Sequence, residues 1–196
     1  MNRRKFIRTG VAGVAGLSLA QVGWADMQRV LPSDVTVDKV ELGKTGLEVS
    51  RIALGTGTKG WNYESNQTRI GMDNFLKLPH HGYERGILFF DMYGSQPFVG
   101  KALKELPREK VTLMTKMWTY DDGSEKREPV RKTLDRFRQE AGTEYFDILL
   151  MHCMTSGDWP ETRKFYMDGL AQAKEEGIVK AVGISCHNWE AMKEAA

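Results

Sequence analysis

Five short apolar runs recur along the chain: RIALGTG at 51–57, GILFFDM at 86–92, VTLMTKMW at 111–118, YFDILLMHC at 145–153 and VKAVGIS at 179–185. Each is apolar almost throughout rather than at alternate positions, as expected of a strand in a parallel sheet buried on both faces. Between them lie longer stretches with helical spacing, at about 67–85, 97–106, 125–142 and 160–176, and the chain closes on a further helical pattern, NWEAMKEAA. Pro79 and Gly82 predict a kink or break in the first helix. Pro97 suits the first turn of the second, and Gly142 and Gly177 mark the ends of the later two. Ahead of these units, VDKVELGKTGLEVSRI reads as two short strands around the turn residues Gly43 to Gly46. Strand alternating with helix predicts an α/β fold of about five βα units behind an N-terminal hairpin.

Three of the runs deliver a reactive side chain at or just past their far ends. The second brings Asp91 and Tyr93, the third Lys116, and the fourth His152. A ring of βα units gathers its chemistry at the strand C-termini, so one acid, one phenol, one amine and one imidazole converge there. Each alone has a plain explanation, Asp91 as a cap and Tyr93, Lys116 and His152 as packing or surface groups. Lys116, however, sits in an otherwise apolar run, and a charge there demands a partner. Their joint occurrence on successive strand ends favours chemistry. The first run ends in Gly55, Thr56 and Gly57, where glycine permits a ligand to approach the backbone closely.

The segment GILFFDMYGSQPFVGKALKELPREKVTLMTK resembles the part of the aldo-keto reductase family that holds the Asp, Tyr and Lys of a catalytic tetrad. ILLMHC resembles its His strand, LGKTGLEVSRIALGTG its opening hairpin and first strand, and GIVKAVGISCHN the strand that supports the nicotinamide ring. The resemblance runs from about Val37 to the last residue. It implies part of a TIM (β/α)8 barrel and reduction of an aldehyde or ketone by hydride from NADPH, with NADH as the alternative donor. Asp91, Tyr93, Lys116 and His152 take the tetrad positions, and Ser185 contacts the nicotinamide carboxamide. The cofactor side is completed by Gly55, Thr56 and Asp91.

The chemistry suits these residues. Carbonyl reduction needs a proton donor beside the oxygen on which negative charge develops. A free phenol has a pKa of about 10. A nearby ammonium brings it closer to working pH, and a carboxylate holds that ammonium in place. Tyr93, Lys116 and Asp91 fit those roles, a neutral His152 orients the carbonyl, and no metal is required.

Two departures from the family pattern stand out. The family separates acid and phenol by four residues, whereas here only Met92 lies between Asp91 and Tyr93. The family also places Asn after the serine, and here Cys186, His187 and Asn188 follow Ser185, so Cys186, His187 or Asn188 would supply the second carboxamide contact. The shortened spacing favours an alternative reading, a non-catalytic regulatory module that binds nicotinamide nucleotide. At 196 residues the chain is shorter than the about 250 of a complete barrel. It is expected to be a truncated form that folds and turns over poorly by itself.

The first 25 residues read as an address. NRRKFIRTG is followed by the apolar VAGVAGLSLAQVGWA and a small residue at Ala25, the layout of an export signal, and the paired Arg3 and Arg4 resemble its twin-arginine form. Residues 26–36 read as a linker and 37–196 as the barrel portion. The expected location is the bacterial periplasm, reached through the twin-arginine machinery, with no stable membrane span. Arg3, Arg4, Lys5 and Arg8 supply four of the 28 basic residues, leaving 24 against 26 acidic ones. The net charge of +2 is therefore no argument for a nucleic-acid partner. Two cysteines, Cys153 and Cys186, make neither a disulfide framework nor a metal cluster and read as small buried groups.

Overall fold

The computed structural model describes residues 36–60, 62, 64–92, 96–119 and 127–196, the side chain of Gln96 excepted. The address at 1–25, the linker up to residue 35, and Tyr93 lie outside the described residues. Strands β1 (Lys39–Glu41) and β2 (Glu48–Ser50) form the antiparallel hairpin expected around Gly43 and Gly46. Five further strands follow: β3 (Ala53–Gly55), β4 (Phe89–Asp91), β5 (Thr112–Trp118), β6 (Phe146–Met154) and β7 (Val179–Cys186). They form one parallel sheet in the order β3-β4-β5-β6-β7.

The helices are α1 (Met72–Glu84), α2 (Gln96–Leu103), α3 (Val130–Ala141), α4 (Trp159–Thr162), α5 (Lys164–Glu175) and α6 (Trp189–Lys193). Helices α1, α2, α3 and α5 pack each against the next. Parallel strands in sequence order, with successive crossover helices side by side, are the winding of a barrel, so the described residues form part of a (β/α)8 barrel. The core lies between helices and sheet. Phe90, Leu113, Met117, Leu149 and Met151 come from the strands, Met92 from just past β4, and Phe75, Val99, Leu134, Phe137, Tyr166 and Leu170 from the helices.

The helix boundaries correct the sequence reading in three places. The predicted helix at 67–85 starts only at Met72, because Gly71 at φ 85°, ψ 157° separates it from a 3-10 turn at Thr68–Ile70. It then runs unbroken through Pro79 and Gly82. An interior proline costs about 3 kcal/mol, but Phe75, Pro79 and Gly82 form one buried stripe, and packing of that stripe offsets the lost bond. The helix at 160–176 is two helices, parted at Arg163, whose φ of −109° and ψ of 12° interrupt the spiral. The helix at 125–142 begins at Val130, after Pro129 in an extended conformation, and ends as expected at Gly142, φ 63°.

Helices α2 and α3 approach closely at Gly100, where an added Cβ would lie 2.7 Å from the Ala141 carbonyl oxygen. Gly100→Ala is therefore expected to destabilise the fold by about 1–3 kcal/mol, although alanine is the better helix former. Urea unfolding checks this, and a stabilised variant would refute the close approach.

Candidate active site

Alternation along the strands divides the rim into two faces. Phe90 and Met92 point into the core, Met92 with 0% exposure, so Asp91 between them faces the other way. Lys116 lies between buried Thr115 and Met117, and His152 follows buried Met151. All three therefore stand on the face opposite the helices. The register sets their heights: Asp91 pairs with Met114, Lys116 with Leu150, and Trp118 with His152. The constellation thus climbs the sheet from β4 across β5 to the end of β6.

The Lys116 amine donates to Asp91 Oδ1 in an ion pair, with the two side chains 12% and 28% exposed. The charge that the sequence leaves in an apolar run thus has its partner one strand away. Thr56, buried at the end of β3, donates both its amide (2.9 Å) and its hydroxyl (3.0 Å) to the Asp91 carbonyl oxygen. It clamps the backbone that presents the carboxylate. Gly55 pairs with Asp91, and a Cβ added there would meet nothing within 4 Å, so the backbone beside the ion pair is open to a ligand.

His152 is half-buried, and the Trp118 ring meets it edge to face, with centroids 4.4 Å apart. Burial lowers the His152 pKa, the charges of Lys116 and His187 lower it further, and Asp91 opposes them. The imidazole is therefore neutral at pH 7, able to donate a hydrogen bond without carrying charge. The linkage sign follows from a folded pKa below the ordinary value of about 6.5. Between that value and the lower folded one, the unfolded chain binds the extra proton, so this group costs stability as pH falls through that window. Proton NMR is expected to show a His152 midpoint below the ordinary value of about 6.5, and a midpoint at or above that value would contradict the assigned environment.

The cofactor-side residues separate. Ser185 is half-buried on β7, and its Oγ accepts from the Cys153 amide at 3.0 Å. Cys186 pairs with Met154 and packs against the core. His187 is exposed, its amide donating to the Met154 carbonyl at 3.0 Å, and its charge is felt at His152. Asn188 caps α6, its Oδ1 accepting from the amides of Glu190 (2.8 Å) and Ala191 (3.1 Å). Both cysteines are free thiols. Sequence reasoning missed Thr56 as a clamp on Asp91, because a bond between residues 35 apart leaves no local signal. It also missed the unusual backbone of Cys153, φ 67°, because glycine or asparagine ordinarily marks such positions.

Among the described residues, no helix is long and apolar enough to cross a membrane. Residues 51–196 match the model of the aldo/keto reductase family. The chain is 33% identical over 162 residues to a probable aldo-keto reductase 1 of Glycine max, covering 76% of this chain and 45% of that protein. It is 30% identical over 172 residues to human aldo-keto reductase family 1 member A1, covering 74% and 48%. Among solved structures, an aldo/keto reductase from Brucella melitensis superposes with a TM-score of 0.60 at 25% identity, covering 82% of this chain and 58% of that one. The chain spans about half the length of the curated relatives it matches. With the family model matched over most of its length, and the parallel βα winding and Asp91–Lys116 pair in place, this chain belongs to the aldo/keto reductase family.

Proposed function

We propose that this chain carries the proton-donating centre of an NAD(P)H-dependent reductase of small aldehydes or ketones. The observation that carries the reading is the Asp91–Lys116 ion pair on the open face of the sheet, one strand from a neutral His152. The nicotinamide supplies the hydride when bound. The strip fits such a ring: Gly55 leaves its backbone uncovered, Ser185 offers a hydroxyl, and Lys116 and His152 lie between them across the sheet.

In this reading Tyr93 gives its proton to the carbonyl oxygen. Lys116 favours the phenolate that remains, and Asp91 holds the Lys116 amine in place. His152 donates a hydrogen bond to the same oxygen and fixes the orientation of the carbonyl. Trp118, 44% exposed at the rim, walls the substrate space with an aromatic face. NADPH is the expected donor. Single-turnover mixing of the chain with NADPH and a model aldehyde, with Tyr93→Phe as control, tests the reading. Reduction that persists at the same rate in the control would remove Tyr93 from its role.

A second reading is favoured by one observation, the single residue between Asp91 and Tyr93. A rim that binds the nucleotide without aligning the phenol is a sensor rather than an enzyme, because an error of about 1 Å costs on the order of a hundredfold in rate. Nucleotide binding with no aldehyde consumed in a single turnover would favour it.

The proposal extends to export into the periplasm through the twin-arginine route, supported by Arg3 and Arg4 ahead of an apolar stretch. Residues 1–30 fused to a reporter are expected to carry it out of the cytoplasm. A reporter that stays inside, or one unaffected by replacing both arginines with lysine, counts against that route.

A further inference from the structure

Strand β6 carries one residue more than β7 where the two reach the rim. Met151 pairs with Ile184 and Met154 with Cys186, so His152 and Cys153 together stand against Ser185. This is a bulge, a device that re-aims side chains near sites. Cys153 adopts φ 67°, a left-handed conformation uncommon for a residue with a side chain. Its amide finds its acceptor in a side chain, Ser185 Oγ at 3.0 Å. Just beyond, the His187 amide donates to the Met154 carbonyl at 3.0 Å and closes the ladder again. The strained peptide is thus held on both sides, immediately after the imidazole.

We propose that Ser185 is a positioning residue for His152: its hydroxyl holds the Cys153 amide, fixes the bulge, and so aims the imidazole one residue earlier. A hydroxyl has one proton to give and two lone pairs to accept with. The Cys153 amide takes one lone pair, so the proton and one lone pair of Ser185 remain for a ligand. Resting on the nucleotide reading above, the same hydroxyl meets the nicotinamide carboxamide. One oxygen atom then joins the seat of the cofactor to the aim of the imidazole. Occupation of the seat orders the Ser185 hydroxyl and with it the bulge.

The full chain tests this with Ser185→Ala and Ser185→Thr, read by NMR and by NADPH binding. In Ser185→Ala the Cys153 amide is expected to exchange with solvent about tenfold faster, as loss of one hydrogen bond implies. The His152 titration is expected to move up toward about 6.5, since the ring is no longer held in its half-buried place. The groups that face the ring, Lys116, Asp91 and His187, are the same in every variant, so a shift reports its position. NADPH affinity is expected to fall about tenfold. Ser185→Thr keeps the hydroxyl and should retain the wild-type values of all three. An unchanged His152 titration in Ser185→Ala, or a threonine variant that behaves like the alanine one, overturns the proposal. The two readings fail separately. Weakened NADPH binding with an unmoved His152 leaves a cofactor contact and sinks the positioning role. A moved His152 in a chain that binds no NADPH sinks the nucleotide reading and leaves the positioning role standing.

Discussion

Asp147→Ala is expected to remove about 3–5 kcal/mol of folding stability, the cost of leaving a largely buried charge without its partner. The Asp147 side chain, 5% exposed near the start of β6, joins three strands. One oxygen accepts from Arg108 Nη2 at 2.9 Å and from the Leu113 amide at 2.9 Å, and the other from Lys180 Nζ at 2.7 Å. Arg108 is committed as well, donating to Thr143 Oγ1 (2.8 Å) and to the carbonyls of Val111 (2.9 Å) and Tyr145 (2.8 Å). Its guanidinium lies 3.9 Å from the centroid of the Tyr145 ring, with the Lys180 amine 4.3 Å from the same ring. Removing the carboxylate leaves two cations close together and the Leu113 amide unsatisfied. Against a typical domain stability of about 5–15 kcal/mol, such a loss is large. Urea unfolding reads it directly, with Asp147→Asn intermediate because it keeps an acceptor for Leu113. A loss below about 1 kcal/mol would mean that water replaces the carboxylate without penalty.

In the proposed reductase reading, Lys116→Met is expected to slow carbonyl reduction by about 10²–10⁴-fold, the range attributed to positioned proton transfer. Methionine nearly matches the length and packing of lysine while removing the ammonium. The Asp91 carboxylate then loses its ion pair, and in the proposed reading the Tyr93 phenol loses the charge that favours its ionised form. NADPH affinity is expected to stay within a few-fold, so the loss falls on the chemical step. Lys116→Arg keeps the charge but presents a planar fork in place of a point and should rescue only part of the rate. Stopped-flow single turnovers separate the steps, and an unchanged chemical rate in Lys116→Met would dismiss the ammonium.

Much of this architecture was legible because it rests on local rules. Apolar runs marked all five parallel strands, and Gly43, Gly46, Gly142 and Gly177, at φ 53°, 72°, 63° and 73°, sit where the turn and helix-end signals placed them. Asp91, Lys116 and His152 were readable as one rim because each lies at or near the far end of an apolar strand, whereas their sharing one face of the sheet emerges only from the fold. Other features depend on contacts that no local window contains. The buried stripe that carries α1 through Pro79 is tertiary, as is the Arg108–Asp147 network. The β6 bulge turns on Cys153, a residue type with no preference for the left-handed region, so nothing local announces it.

Isotope transfer tests hydride delivery and the role of Tyr93 most directly. The chain is mixed with NADPH deuterated at the nicotinamide C4 and a small aldehyde, and the alcohol is analysed by mass spectrometry for wild type and Tyr93→Phe. Deuterium on the carbinol carbon, formed at least about a hundredfold more slowly in the variant, is the predicted result. NADPH that binds to the wild-type chain and yields no labelled alcohol would contradict it.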